Sequence, residues 1–248
     1  MDWRKEVVQM FRTRLWTIIF GGVLVCSACT SVKSEKDQDL PLLERDAHRA
    51  MMRGDLKEAE RLDLRALSIV PKDSTVMNNL AVVKDRLGEH SGALEVLEKA
   101  HRISPGNPTI LMNLARVQLK NGMEGEAYRT AGQIIPMDKW PTGFRTLMGK
   151  IDIDLGREGE AHIYLHEANE RHPENPLILT YLGIVHYRIG EIEEGKKNFV
   201  EALSKNPPLQ LRKALERLLR NPSNEIGIPS VSETRILKRS SGHQKENH

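Results

Sequence analysis

Apolar side chains recur at helical spacing along this chain, in segments that repeat at a constant step. Residues three and four positions apart share one face of a helix, so each set marks a buried stripe on an amphipathic helix. Successive sets are 34 residues or twice 34 residues apart, and they are Met77, Leu80 and Ala81, then Leu111, Leu114 and Ala115, then Leu179, Leu182 and Gly183. The pattern predicts an array of repeated helices.

Glycines and alanines keep the same step. The glycines that follow each predicted first helix are 34 residues apart, at Gly54, Gly88, Gly122, Gly156 and Gly190. Glycine readily adopts the left-handed conformation that ends a helix and turns the chain. The alanines are predicted to lie on a second helix, where small side chains let two backbones pass closely. They are Ala59, Ala93, Ala127 and Ala161, followed by Gly195, and Ala66, Ala100, Ala168 and Ala202.

Prolines mark the end of the predicted second helices, at Pro71, Pro105, Pro173 and Pro207. Proline ends a helix because it has no amide hydrogen to donate and its ring clashes with the preceding turn. Asn107-Pro108 and Asn175-Pro176 are then predicted to begin the next helix as N-cap and first residue.

The third segment departs from this pattern. Pro136 should end its second helix early, and Pro141 follows Trp140 closely. We therefore expect a bent or loosened joint here. Trp140 is either part of an ordinary loop variation or an exposed aromatic anchor for a partner.

Helix, glycine turn, helix and proline at a period of 34 residues resemble the tetratricopeptide repeat (TPR) family. The resemblance implies an all-α, right-handed superhelical solenoid of about five helix-turn-helix repeats. The TPR domain would span 40–209, with repeats at 40–73, 74–107, 108–141, 142–175 and 176–209. A helix at 210–221 with leucines on one face is predicted to cap the last repeat. The polar residues 222–248 are predicted to form a disordered tail.

The N-terminus has the pattern of a secretory signal peptide. Residues 1–14 are polar and basic, and residues 15–28 form an uncharged core of apolar and small residues. The core is short for a membrane-spanning helix, which needs about 20 apolar residues. An uncleaved signal anchor remains the alternative. A structural zinc site is a poor explanation of Cys26 and Cys29, because such a site needs four ligands and the chain has no second cysteine pair.

The end of that core, Cys26-Ser27-Ala28-Cys29, resembles the lipobox of bacterial lipoproteins. The resemblance implies a signal peptide at 1–28, acylation of Cys29 with chains such as palmitate, and a tether at 29–39. Because Thr30 and Ser31 follow Cys29 directly, with no aspartate next to it, the resemblance also implies a cell-envelope location in the outer membrane, facing the periplasm.

The sequence carries no recognisable catalytic motif, so we expect no enzyme activity, no cofactor and no catalytic metal. His162 and His166 are four residues apart, but Ile163 stands where a zinc protease motif needs glutamate. We expect both histidines on the solvated surface. The net charge of +3 is too small to favour a nucleic-acid partner, and we expect no small-molecule substrate.

In the TPR family the concave surface, lined by first helices, binds peptides or partner helices. The positions that match it by repeat register are Asn78, Val82, Arg86, Met112, Arg116, Lys120, Thr146, Lys150, Asp154, Thr180, Ile184 and Arg188. Basic residues outnumber acidic ones among them, so the groove is predicted to accept an acidic segment or a C-terminal carboxylate. The alternative is that these positions are merely solvated.

The combined features resemble repeat lipoproteins that assist pilus and secretion machinery, namely the pilotins and the TadD-like lipoproteins of tight-adherence pilus systems. The resemblance implies a membrane-anchored TPR scaffold that binds partner proteins in pilus or secretion-system assembly. Two alternatives are a scaffold for cell-wall hydrolases or outer-membrane protein insertion, and an envelope enzyme whose active site has no familiar motif.

Overall fold

The computed structural model of the protein describes residues 35–134 and 140–222. This part of the chain contains eleven α-helices and no strand. The helices are α1 (Glu35–Arg53), α2 (Leu56–Ile69), α3 (Ser74–Arg86), α4 (His90–Ile103), α5 (Pro108–Lys120), α6 (Glu124–Ala131), α7 (Phe144–Asp154), α8 (Glu158–Arg171), α9 (Pro176–Arg188), α10 (Ile192–Ser204) and α11 (Leu209–Arg220).

The described residues divide into two compact units, with the boundary between Pro71 and Lys72. In the first unit α1 and α2 pack against each other as a hairpin. Their small residues Ala50 and Ala59 are fully buried, and Leu43 and Leu62 are nearly so.

In the second unit α3 pairs with α4, α5 with α6, α7 with α8, and α9 with α10. Each second helix also contacts the first helix of the next hairpin, and the first helices α3, α5, α7 and α9 contact one another in turn. Finally, α11 packs against α10, where Leu215 and Leu218 are buried. Sequential hairpins followed by a capping helix confirm the predicted all-α repeat fold.

The glycine turns form as predicted. The glycine after the first helix of every hairpin has positive φ, as at Gly88 (φ 83°) and Gly190 (φ 90°). Only glycine adopts this conformation at little cost. The asparagines also cap as predicted, since the Asn107 side chain accepts hydrogen bonds from the amides of Thr109 and Ile110 at 3.0 and 3.3 Å.

The alanines that recur at the 34-residue step are followed by Gly195 in the last hairpin, because an aromatic ring occupies the space of the methyl group there. A Cβ on Gly195 would lie 2.3 Å from Cδ2 of Tyr187, and a Cβ on Gly183 would lie 2.4 Å from Cε1 of Phe199. The rings of Tyr187 and Phe199 stack with centroids 5.5 Å apart. The last hairpin thus exchanges two small side chains for a buried aromatic pair.

The third hairpin has a short second helix. Helix α6 spans 8 residues and ends at Ala131, whereas α4 and α8 span 14 residues each. Pro136 lies outside the described residues. Trp140 is 37% exposed, and its ring stacks on that of buried Phe144 with centroids 4.3 Å apart.

Several predicted features lie outside the described residues. They are the signal peptide at 1–28, the lipidation site at Cys29 and the tail from residue 223 onward. Helix α1 begins at Glu35, within the segment that the sequence assigned to the tether. Between residues 35 and 134, and between 140 and 222, no helix has the length and apolar content to cross a bilayer.

Candidate partner-binding groove

The second unit contains a cavity of about 530 Å³, here called the groove cavity. Its walls come from the first helices α5, α7 and α9, together with residues just before α7 and α9. The residues that line it are Arg116, Leu119, Lys120, Gly143, Thr146, Leu147, Lys150, Asn175, Leu177 and Tyr181. Four of the predicted groove residues, namely Arg116, Lys120, Thr146 and Lys150, are therefore brought together.

Two of the three cations in the groove cavity already have carboxylate partners. Lys120 Nζ lies 2.8 and 2.6 Å from the two carboxylate oxygens of Asp85, which also contacts His90 Nδ1 at 2.8 Å. Lys150 forms an ion pair with Asp154 one helical turn away. These lysines add little net charge because each is neutralised at contact distance.

Arg116, the third cation of the groove cavity, differs from the two lysines in its hydrogen-bond partner, which is an amide. Its Nη1 donates a hydrogen bond to Oδ1 of Asn113 at 2.7 Å, and Nδ2 of Asn113 donates to Oδ1 of Asn78 at 2.8 Å. Within the described part of the chain, Arg116 forms no ion pair. Asn113 on α5 therefore orients the guanidinium and is itself held by Asn78 on the neighbouring helix α3, while the positive charge of Arg116 stays uncompensated.

Tyr181 forms part of the cavity wall. Burial raises the pKa of its hydroxyl to about 12, with Asp154 raising it further and Arg116 lowering it. The hydroxyl therefore keeps its proton at neutral pH and can donate a hydrogen bond into the cavity. The repeat register predicted Thr180 for this wall, whereas Tyr181, the next residue of α9, lines it. Asn113, Leu147 and Tyr181 are successively 34 residues apart, so this register was also present in the sequence.

Three predicted groove residues are buried inside the fold. Asn78, Met112 and Thr180 are each less than 8% exposed. The Thr180 hydroxyl donates to the carbonyl oxygen of Pro176 at 2.6 Å, and Asn78 accepts from Asn113. Their helix faces are turned towards the interior.

The other predicted residues do not line the groove cavity. Val82 is half-buried and Arg86 is exposed, while Ile184 packs against two hydrophobic clusters. Arg188 donates a hydrogen bond to the carbonyl oxygen of Ile153 and pairs with Glu158 at 3.5 Å. Asp154 does not line the groove cavity, but it pairs with Lys150 and raises the pKa of Tyr181.

The histidines predicted for the surface belong to a small cluster. The ring of His162 meets that of His186 edge-on, with centroids 5.3 Å apart, and lies 6.0 Å from that of His166. Burial, and then the charges of His186 and His166, lower the pKa of His162. Across the described ranges, no group of three or more histidine, cysteine or acidic residues is arranged to hold a metal ion.

Part of this chain matches a known family of repeat sequences. The sequence model described as tetratricopeptide repeat matches residues 86–151, a stretch that includes Arg116, Lys120, Thr146 and Lys150. The described hairpins have the same architecture. The fold is that of a TPR solenoid.

Solved TPR structures extend the likeness over most of the chain. The protein pilF of Pseudomonas aeruginosa has a TM-score of 0.61 at 17% identity, over 83% of this chain and 99% of that chain. TTC0263, a thermophilic TPR protein of Thermus thermophilus, has a TM-score of 0.60 at 20% identity, over 73% and 98%. YrrB, described as a TPR protein with an unusual peptide-binding site, has a TM-score of 0.55 at 18% identity, over 76% and 97%. No curated protein matches this chain in sequence.

Proposed function

We propose that this TPR chain is a protein–protein interaction scaffold that binds a segment of a partner protein in the groove cavity. The observation that carries the proposal is the uncompensated guanidinium of Arg116 in a cavity with apolar walls. Repeat solenoids use most residues for stacking and present an extended surface to partners. YrrB has the same fold and is described as having a peptide-binding site. It is a precedent for peptide binding by a TPR protein.

The chemistry of the groove cavity defines the segment that it would accept. An arginine binds a carboxylate through two parallel hydrogen bonds, and the protonated Tyr181 hydroxyl is a further donor. Leu119 and Leu147 offer apolar surface beside these groups. The segment is therefore an acidic residue or a C-terminal carboxylate next to an apolar side chain.

Charge reversal at Arg116 tests this function. Partner proteins are captured on the full-length chain from detergent-extracted membranes of the natural host and compared between variants. Arg116→Glu should reduce affinity by about tenfold or more, because hydrogen bonds to charged groups contribute about 1.5–3 kcal/mol. Combined reversal of Arg116 and Lys150 should abolish capture.

The matched control is Arg102→Glu, which reverses the charge of an exposed arginine on α4 that does not line the groove cavity. Its capture should equal that of the unmodified chain. Equal capture by Arg116→Glu would contradict the proposed function.

We further propose that Cys29 is lipidated and holds the scaffold at the outer membrane, facing the periplasm. The support is the sequence alone, namely the basic and apolar segments at 1–28 and the lipobox-like Cys26-Ser27-Ala28-Cys29. Acyl chains bind bilayers at about 0.8 kcal/mol per buried methylene. Mass spectrometry of the chain from its host should find diacylglycerol on Cys29, and Cys29→Ala should leave the membrane fraction. An unmodified thiol would refute the anchor.

The clients that we propose are proteins of pilus or secretion-system assembly, because the lipobox and TPR pattern together resemble pilotin lipoproteins. The likeness to pilF contributes the shared fold only. Capture of secretin or pilus proteins that depends on Arg116 would support this assignment. Capture of cell-wall hydrolases or outer-membrane insertion proteins would favour the alternative scaffold.

A further inference from the structure

A second cavity of about 770 Å³ lies beside the groove cavity. The turn between α8 and α9 forms one wall, and the start of α11 forms the other, with Leu211 and Gln210 among its residues. We call it the cap cavity, because α11 is the capping helix. The predicted groove residues do not include any part of it.

The cap cavity differs chemically from the groove cavity. Pro173, Pro176 and Pro208 line it, and proline offers a rigid apolar ring with no amide hydrogen. Glu174 also lines it, but Lys205 lies 2.8 Å away and neutralises that carboxylate. His172 is the remaining ionisable residue in its lining. The surface is therefore suited to uncharged apolar side chains.

The two cavities are adjacent, since Asn175 and Leu177 line both. The Asn175 side chain accepts a hydrogen bond from the amide of Leu177 at 3.0 Å, so its capping role holds this shared wall in place. Leu177 is 37% exposed, which leaves an apolar ridge between the two cavities. A polypeptide bound in one cavity can therefore continue across Leu177 into the other.

We propose that the two cavities form one continuous binding surface for a single partner polypeptide. The segment whose carboxylate binds Arg116 is directly flanked by an uncharged stretch rich in leucine, valine or proline, which fills the cap cavity. This inference rests on the proposed function of the groove cavity. It adds the second half of the recognition sequence and gives the capping helix a binding role.

Selection from a random peptide library with free C-termini, displayed against the full-length chain, tests the inference. The selected peptides should carry an acidic residue or the terminal carboxylate at a fixed spacing from an apolar stretch. A representative peptide, labelled with fluorescein, then gives affinities by fluorescence anisotropy. A second version of it replaces the apolar stretch with glycine and serine.

Two variants place a carboxylate in the cap cavity, Gln210→Glu at an exposed position and Leu211→Glu at a half-buried one. Each should weaken binding of the selected peptide by about tenfold and change binding of the glycine-serine version by less than about twofold. Leu209→Glu is the matched control, because Leu209 is 62% exposed and lines neither cavity. Gln210→Glu preserves side-chain size, so it stays informative if Leu211→Glu disturbs the packing of α11.

The outcomes distinguish failure of this inference from failure of the proposed function. Selected peptides that share acidic residues without an apolar stretch, or equal losses for both peptide versions, would overturn the inference and leave the proposed function standing. Failure to select any peptide whose binding depends on Arg116 would overturn both. Loss of the apolar preference in selections against Gln210→Glu would support the continuous surface.

Discussion

Asp152 provides a sharp test of the electrostatics in the second unit. Its side chain is 1% exposed, and neither carboxylate oxygen has a hydrogen-bond partner. The nearby cation, Nη1 of Arg157, lies 3.9 Å from Oδ1. Burial raises the pKa of Asp152 from 3.8 to about 6, while Arg157 lowers it and Glu160 raises it. We predict that Asp152→Asn stabilises the protein at neutral and alkaline pH.

The magnitude follows from linkage. Because the folded state raises the pKa, folding favours the protonated carboxyl, and this contribution is complete below the unfolded value of 3.8. It is lost as pH rises through about 6. At about 1.4 kcal/mol per pKa unit, the loss amounts to about 3 kcal/mol. The amide has no charge to bury, so Asp152→Asn removes this pH dependence.

Urea denaturation followed by far-UV circular dichroism measures the effect at several pH values. The free energy of unfolding of Asp152→Asn, relative to the unmodified chain, should rise by about 2 kcal/mol between about pH 4 and about pH 8, because part of the full loss has already occurred at pH 4. Comparison across pH cancels any constant difference in hydrogen bonding between amide and carboxyl. Glu95→Gln, at an exposed carboxylate on α4, is the control and should show a small, constant difference. A flat difference for Asp152→Asn would refute the reasoning.

Three other substitutions probe caps, packing and the histidine cluster. Asn107→Ala should lower the free energy of unfolding by about 1 kcal/mol, because the amides at the start of α5 lose their acceptor; Asn107→Ser should restore most of it. Gly195→Ala should lower the free energy of unfolding by about 1–3 kcal/mol, since its Cβ would overlap the Tyr187 ring. Gly106→Ala, with no neighbour within 4 Å, is its control, and equal melting temperatures for the two would exclude the clash. The pKa of His162 is lowered from 6.5, so the unfolded chain binds that proton more tightly and stability falls as pH drops below about 6.5; His162→Gln should reduce that fall in urea titrations.

The repeat fold was predictable because its determinants are backbone requirements. Glycine with positive φ, as at Gly88, and an asparagine cap before proline, as at Asn107, depend on local conformation. The glycines recur every 34 residues, and the two Asn-Pro pairs, at 107 and 175, are twice that step apart. Their agreement at 34 residues therefore defines hairpins before any tertiary contact is known.

The groove was only partly predictable because its composition depends on the rotation of each helix. Adjacent residues on a helix are about 100° apart. An error of one position in the assumed register therefore assigns a buried residue to the cavity wall. Met112 and Thr180 are buried, whereas Asn113 orients Arg116 and Tyr181 lines the cavity. The sequence alone also did not indicate the ion pair between Lys120 and Asp85, because these residues are 35 positions apart.

The amides that orient Arg116 bear on how this protein can be dissected. The guanidinium sits on α5, the chain of amides that fixes it ends on Asn78 of α3, and the phenol opposite belongs to Tyr181 of α9. The proposed recognition site is therefore built from several consecutive hairpins and not from one of them. A chimera that keeps α5 and α6 but exchanges the neighbouring hairpins is therefore expected to lose the groove cavity, because Asn78 and Tyr181 lie outside α5 and α6.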